Sequence, residues 1–167
     1  MGIIREEGFY TGWYMDDNGG WGDGYWRFDI TLEEQAHIDV NTIVQQLHTN
    51  SEENIISILK KTIAEGLTAY ALALLKEYKG KEKSKERKDR LEKGISALLK
   101  AGNLTHEPLP YFHAGQLAEA IGDNQSMIPS AYKHFLLLCK KINIQDADEE
   151  ITYAKQRLQK WDEELSK

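Results

Sequence analysis

Cysteine is almost missing from this chain of 167 residues, with Cys139 as its single thiol. That excludes an intramolecular disulfide and argues against a cysteine-based zinc site. Long apolar runs are missing too: Ala69 to Leu75 is the longest, far short of the ~20 residues that cross a bilayer as a helix. The start, Met1-Gly2-Ile3-Ile4-Arg5-Glu6-Glu7, has no apolar core of a signal peptide and puts Glu6 where a myristoylation motif wants Ser or Thr. The sequence also lacks Gly-x-Ser-x-Gly, Gly-x-Gly-x-x-Gly and Gly-Lys-Ser/Thr, the local signatures of a nucleophile elbow and of phosphate loops. The expectation is a cytoplasmic protein of a reducing compartment, with no membrane span and no cofactor.

Excess positive charge is lacking as well, since the net charge is −6. Residues 1–75 carry −8, residues 76–93 carry +4 and residues 94–167 carry −2. The basic stretch, KEYKGKEKSKERKDRLEK, interleaves both signs, which suits a solvated helical segment laced with i,i+4 pairs better than a phosphate-binding surface. Nucleic acid is therefore not an expected partner. With 41% hydrophobic and 29% charged residues, the balance is that of one globular domain spanning 1–167. A chain of this size buries roughly 70% of its unfolded surface without staples.

Aromatics and glycines crowd the N-terminal end: residues 9–28 hold 8 of the 16 aromatics and residues 1–24 hold 7 of the 13 glycines. Two short aromatic stretches, Gly8 to Met15 and Tyr25 to Ile30, flank the turn-rich Asp16-Asp17-Asn18-Gly19-Gly20-Trp21-Gly22-Asp23-Gly24. Strand, loop, strand is the natural reading, so residues 1–30 are expected to form an aromatic β-hairpin. Period-2 alternation puts Phe9, Trp13, Met15, Trp26, Phe28 and Ile30 on one face, toward the helices. Tyr10, Tyr14, Tyr25, Arg27 and Asp29 fall on the other face, with Trp21 at the tip. Tyr10, Tyr14, Trp21, Tyr25 and Arg27 are candidate partner-binding residues, because Trp, Tyr and Arg repeatedly anchor protein interfaces. The acidic glycine loop does not fit a calcium hand: from Asp16, Trp21 stands where the turn glycine belongs and Arg27 where the bidentate Glu belongs. Asx-type turn chemistry accounts for it.

From Thr31 the period changes to helical, and residues 31–167 form the expected helical body. Thr31-Leu32-Glu33-Glu34 is a capping box, followed by Leu32, Ala36, Val40, Ile43 and Leu47 at helical spacing. A long pattern runs from Ile55 to Tyr78, with Gly66 marking a kink or close contact and Gly80 a stop. The next helices are expected at about Ser84–Ala101, closed by Gly102-Asn103, then Tyr111–Ile121, Ser126–Lys141 and Asp146–Leu165. Among the histidines, His37 and His48 share a predicted helix, and His106 and His113 flank a Pro108/Pro110 loop near Glu107 and Glu119. Their spacing matches no metal-ligand pattern. Cys139, in an apolar run, is expected to be buried and inert.

The segment Tyr111-Phe112-His113-Ala114-Gly115-Gln116-Leu117-Ala118-Glu119-Ala120-Ile121-Gly122-Asp123 resembles the first helix and turn of a tetratricopeptide (TPR) repeat. Gly115 supplies the small residue at the helix crossing and Gly122 the left-handed stop. Tyr132 and Phe135 fill packing positions of the second helix after one inserted residue, and Asp146–Trp161 looks like a solvating end helix. A weaker copy covers Ala69–Gly80 and Leu91–Leu98, so the resemblance spans residues 69–165 at most. Ala114 and Ala118 stand where the family usually has Leu and Tyr. The resemblance implies a mainly α, antiparallel helical hairpin array, with Phe112, Gln116 and Glu119 lining a concave peptide groove. The expected function is non-enzymatic protein binding, as an adaptor or chaperone, with a basic or neutral ligand favoured by the acidic bulk. Two alternatives stay open: a dedicated inhibitor or immunity protein, and a small enzyme or ligand binder with a pocket between hairpin and helices.

Overall fold

The computed structural model describes residues 3–5, 8–14, 26–41, 45, 52–122, 127–144 and 147–165, and side chains at 30–41, 45, 56–122, 127–144 and 147–162. The chain is mainly helical. Ahead of the helices, the backbone of β1 (Ile3–Arg5), β2 (Gly8–Tyr14) and β3 (Trp26–Ile30) pairs antiparallel in the order β1-β2-β3. Phe9 lies opposite Ile30 and Tyr10 opposite Asp29, with an irregularity between Trp13 and Tyr14. Ile30 is the strand residue with a described side chain, and it is buried in the helical core. The aromatic faces and the turn at 15–25 lie outside the described residues.

Among the described residues six helices follow with their bounds: α1 (Leu32–Gln35), α2 (Glu52–Tyr78), α3 (Lys85–Thr105), α4 (Leu109–Ile121), α5 (Met127–Ile142) and α6 (Asp148–Leu165). The capping box at α1 forms as its sequence dictates. The Glu34 amide donates to Thr31 Oγ1 at 3.3 Å and the Thr31 amide donates to Glu34 Oε2 at 2.8 Å. The long amphipathic helix expected after it is interrupted at residues 36–39, and the backbone is helical again at Val40, Asn41 and Gln45. Turns at Ala36–Ile38 follow a single helical turn, and Leu32 and Val40 are 55% and 48% exposed. The reason is that the buried member of α1 is Glu34, paired with Lys100, and that Ile38 is drawn onto α2 at Gly66. A Cβ on Gly66 would sit 2.6 Å from Ile38 Cγ1 and 2.9 Å from the His37 carbonyl oxygen, so this glycine admits the close approach of that turn. Ile43 and Leu47 lie outside the described residues.

Helices α2 to α6 pack each on the next in chain order, as short connections favour. Leu67, Leu91, Leu98, Leu117, Tyr132 and Phe135 are the largest fully buried side chains, each worth roughly 1.5–3 kcal/mol of apolar burial. They sit on the stripes that the helical spacing marks. The basic stretch divides: α2 ends at Tyr78, Gly80 turns with φ +82°, and Ser84 caps α3 by accepting from the Arg87 amide at 3.1 Å. It is not solvated throughout, because Arg87 is buried. Its Nε donates to the Tyr78 carbonyl at 3.1 Å and its Nη2 to the Ala120 carbonyl at 2.6 Å. Helix α3 does not close at Gly102-Asn103 but runs to Thr105, capped by left-handed His106 (φ 56°). Gly102 serves packing instead, with the Tyr111 ring where its Cβ would stand. Gly122, at φ +81°, ends α4 as expected. On α6, Ala154 is buried while Ile151, Leu158 and Trp161 pack at the core edge.

Candidate functional site

Two clusters of polar side chains stand out, and the first sits where β3 meets the helical body. Because the capping box fixes the turn of α1, Glu33 projects over α2 and α3. Its Oε2 accepts from the Tyr70 hydroxyl at 2.8 Å, Arg90 Nη1 lies 3.1 Å from both oxygens, and Lys93 Nζ lies 3.4 Å from Oε2. Beside them opens a cleft of about 340 Å³ lined by Glu33, His37, Tyr70, Leu74, Glu77 and Arg90. The His37 ring tilts against Tyr70 with centroids 5.5 Å apart.

The Tyr70 hydrogen bond first, joined by Lys93 and Arg90, holds the Glu33 carboxyl below its ordinary range against the opposing effect of desolvation. Burial first, and then the facing Glu33, push the Tyr70 phenol far upward. The proton therefore stays on Tyr70 and the negative charge on Glu33. The cleft thus presents one carboxylate edge, one guanidinium and two aromatic rings.

The second cluster holds the helix residues singled out from sequence. Glu119 Oε1 accepts from the Tyr132 hydroxyl at 3.0 Å and from Arg157 Nε at 2.6 Å, while Oε2 accepts from the Tyr153 hydroxyl at 2.9 Å. Its side chain is 16% exposed. One carboxylate thus clamps α4, α5 and α6 together. Burial leads in raising the phenols of Tyr132 and Tyr153, with Glu119 adding to it. Phe112, expected on an exposed groove, is 5% exposed and packs against Phe135, Tyr132 and Tyr153. The correction is physical: the face of α4 that a groove would leave open carries an aromatic which α5 and α6 cover. Gln116 is half-buried and shares a 3.0 Å hydrogen bond with His113 Nδ1. Of the three, Phe112 is interior, while Gln116 and Glu119 keep partial access.

Tyr10, Tyr14, Trp21, Tyr25 and Arg27 have no described side chains, so these candidates lie outside the described residues, as does His48. Among the described residues no group of three His, Cys, Asp or Glu stands together as metal ligands. No described helix is long and apolar enough to cross a membrane. Cys139 is buried, and desolvation raises its thiol.

Sequence reasoning gave the basic stretch only local i,i+4 pairs and missed Arg87, Arg90, Lys93 and Tyr70 as long-range partners. Charge alternation made the first three look like surface residues, and Tyr70 looked like a core position. The available signal was the pair Arg90 and Lys93 at i,i+3, one face of a helix offering two cations to an acidic element elsewhere. With the geometry in place, comparison with known proteins adds no identity: no family model, no curated protein and no solved structure matches this chain.

Proposed function

We propose that this protein is a non-enzymatic binder of another protein, built as a tetratricopeptide-like adaptor or chaperone that works in the cytoplasm. The observation that carries this reading is the stacking of α2 to α6, each helix against the next in chain order. Nearest-neighbour stacking is the architecture of helical-repeat binders, in which the outer faces of successive helices form the working surface. The polar clusters agree with it. Glu33 and Glu119 are engaged by neighbouring hydroxyls and cations and serve to fix elements relative to one another.

In this reading the strand segment is an aromatic β-hairpin whose Tyr10, Tyr14, Trp21, Tyr25 and Arg27 contact the partner. A second reading, a dedicated inhibitor of immunity type, is favoured by the −8 charge of residues 1–75, which steers a basic partner to that end.

The test is affinity capture from host lysate with the intact protein and a Tyr25→Ala/Arg27→Ala variant, at low and high salt. An adaptor retains several clients or peptides, and an inhibitor retains one stoichiometric partner that salt weakens. Capture of nothing at either salt would contradict both.

A further inference from the structure

Helix α5 differs from every other described helix in containing Lys133, Lys140 and Lys141 but no Asp or Glu. Its inner side, Ile128, Ala131, Tyr132, Phe135 and Cys139, is buried in the core. The outer side is an unbroken exposed stripe of Ser130, Lys133, His134, Leu137, Lys140 and Lys141. These positions follow the spacing i, i+3, i+4, i+7, i+10 and i+11, which is one face of an α-helix and about 16 Å long.

At the centre stands Leu137, which at 62% is the most exposed large apolar side chain among the described residues. Lysines at i−4, i+3 and i+4 ring it. No described carboxylate forms an ion pair with Lys133, Lys140 or Lys141. The face is also held in place: His134 packs on the Tyr111 ring with centroids 4.3 Å apart, and Tyr132 on the inner side is pinned by Glu119. A rigid cationic ring around an isolated leucine in a chain of net charge −6 is a local inversion of the molecule's charge.

We propose that the outer face of α5 docks an acidic segment of a partner protein, an amphipathic helix that sets one apolar side chain on Leu137 and places Asp or Glu against the lysines. Charge complementarity selects the sign of the partner. The helical spacing of the stripe selects its shape, since a partner helix with carboxylates at i and i+4 about one apolar position matches it. Nucleic acid is disfavoured by the same surface. The basic patch is confined to one helix face of an acidic molecule, and a leucine at its centre offers nothing to a phosphate backbone. This inference rests on the reading that the protein binds another protein, and it adds a second surface, opposite in sign to the acidic N-terminal half.

The probe is a phage library of randomised peptides of about 16 residues, panned on the full-length protein. Selected peptides are then measured by fluorescence anisotropy on wild type, on Leu137→Ser and on Lys133→Glu/Lys140→Glu. All three sites are solvent-facing, and circular dichroism checks that the variants melt with wild type. The expected result is enrichment of sequences with Asp or Glu flanking Leu, Ile or Phe at helical spacing. These should bind at least about tenfold more weakly to either variant and more weakly in about 0.5 M salt. Enriched peptides that are basic, or that bind the variants equally, overturn the proposal, as does the absence of enrichment. Light scattering and co-sedimentation with phosphatidylserine vesicles complete the test. A Leu137-dependent dimer, or Lys140-dependent vesicle binding, would assign the face to a second copy or to a membrane and likewise overturn it. Selected peptides that bind wild type and Leu137→Ser equally would sink this docking face while leaving standing a protein partner captured from lysate through another surface; wild type that captures no protein from lysate would sink the protein-binding function.

Discussion

Arg87 Nη2 lies 2.6 Å from the carbonyl oxygen of Ala120, joining the first turn of α3 to the last turn of α4. The same guanidinium reaches the Tyr78 carbonyl at the end of α2 through Nε. One buried cation therefore serves two helix C-termini, where orphan carbonyls and the negative ends of two macrodipoles converge. Lysine carries the charge but has no fork to span both carbonyls. Arg87→Lys is expected to cost about 1–2 kcal/mol and Arg87→Ala about 2–3 kcal/mol. Urea unfolding checks this, and a variant with the wild-type midpoint would show that the two bonds contribute nothing.

The crossing of α4 and α5 depends on Gly115. A Cβ there would stand 2.6 Å from Tyr132 Cε1 and 2.7 Å from Cζ, and the ring cannot retreat, because it is fully buried with its hydroxyl on Glu119. Gly115→Ala is expected to destabilise by about 1–3 kcal/mol through overpacking. Combining it with Tyr132→Leu, which frees the space, should cost less than the two changes summed. Strict additivity in the double-mutant cycle would place the strain elsewhere.

His106 closes α3 in the left-handed region, at φ 56°, with its amide donating to the Gly102 carbonyl at 2.8 Å. A residue with a Cβ carries a conformational cost there that glycine does not. His106→Gly is expected to leave stability unchanged or raise it by up to about 1 kcal/mol, a small gain for deleting an exposed side chain. A loss of more than about 1 kcal/mol in thermal unfolding would mean that the imidazole has a structural task.

Alkaline pH should unfold the protein in a cooperative step. Tyr70, Tyr132 and Tyr153 all have phenols raised by burial and by a facing carboxylate. A raised folded-state value means that stability is complete below the ordinary phenol value of about 10. It is lost as pH climbs beyond that value, where the unfolded chain gives up protons that the native state retains. The melting temperature should hold to about pH 10 and then fall, with the tyrosinate absorbance that Tyr70 and Tyr132 contribute appearing in the same step as loss of helix. Ionisation of Tyr70 or Tyr132 while the helices persist, assigned by comparison with the Tyr70→Phe and Tyr132→Phe variants, would contradict their hydroxyl pairs with Glu33 and Glu119. Glu33 works at the other end: its depressed value contributes stability above the ordinary carboxyl range that is lost on acidification, by a small amount at so open a site.

Most of the helical body was legible because its information is local. The stripes Leu67-Ala71-Leu74 and Leu91-Ile95-Leu98, the Thr31 capping box and the Gly122 stop each declare themselves within one or two turns, and each is found. The readings that failed depended on distant partners. Whether α1 extends is decided by Glu33 and Glu34 meeting Arg90, Lys93 and Lys100 about 60 residues later. Whether Phe112 is exposed is decided by α6, at Tyr153. Arg87 looked like one charge in a mixed run because nothing in its neighbourhood names Ala120 as its acceptor. Periodicity reports which face of a helix is apolar, but not which later helix covers it.

The central claim is that this stacked helical body binds a protein, and the most direct measurement is reconstitution. The most abundant captured partner would be purified and mixed with this protein, and the mass of the mixture read by size-exclusion light scattering at low and high salt. The account predicts a defined complex whose mass is the sum of its components, weakened by salt. Components that elute separately at every salt concentration, with small-molecule turnover by this chain alone, would contradict it.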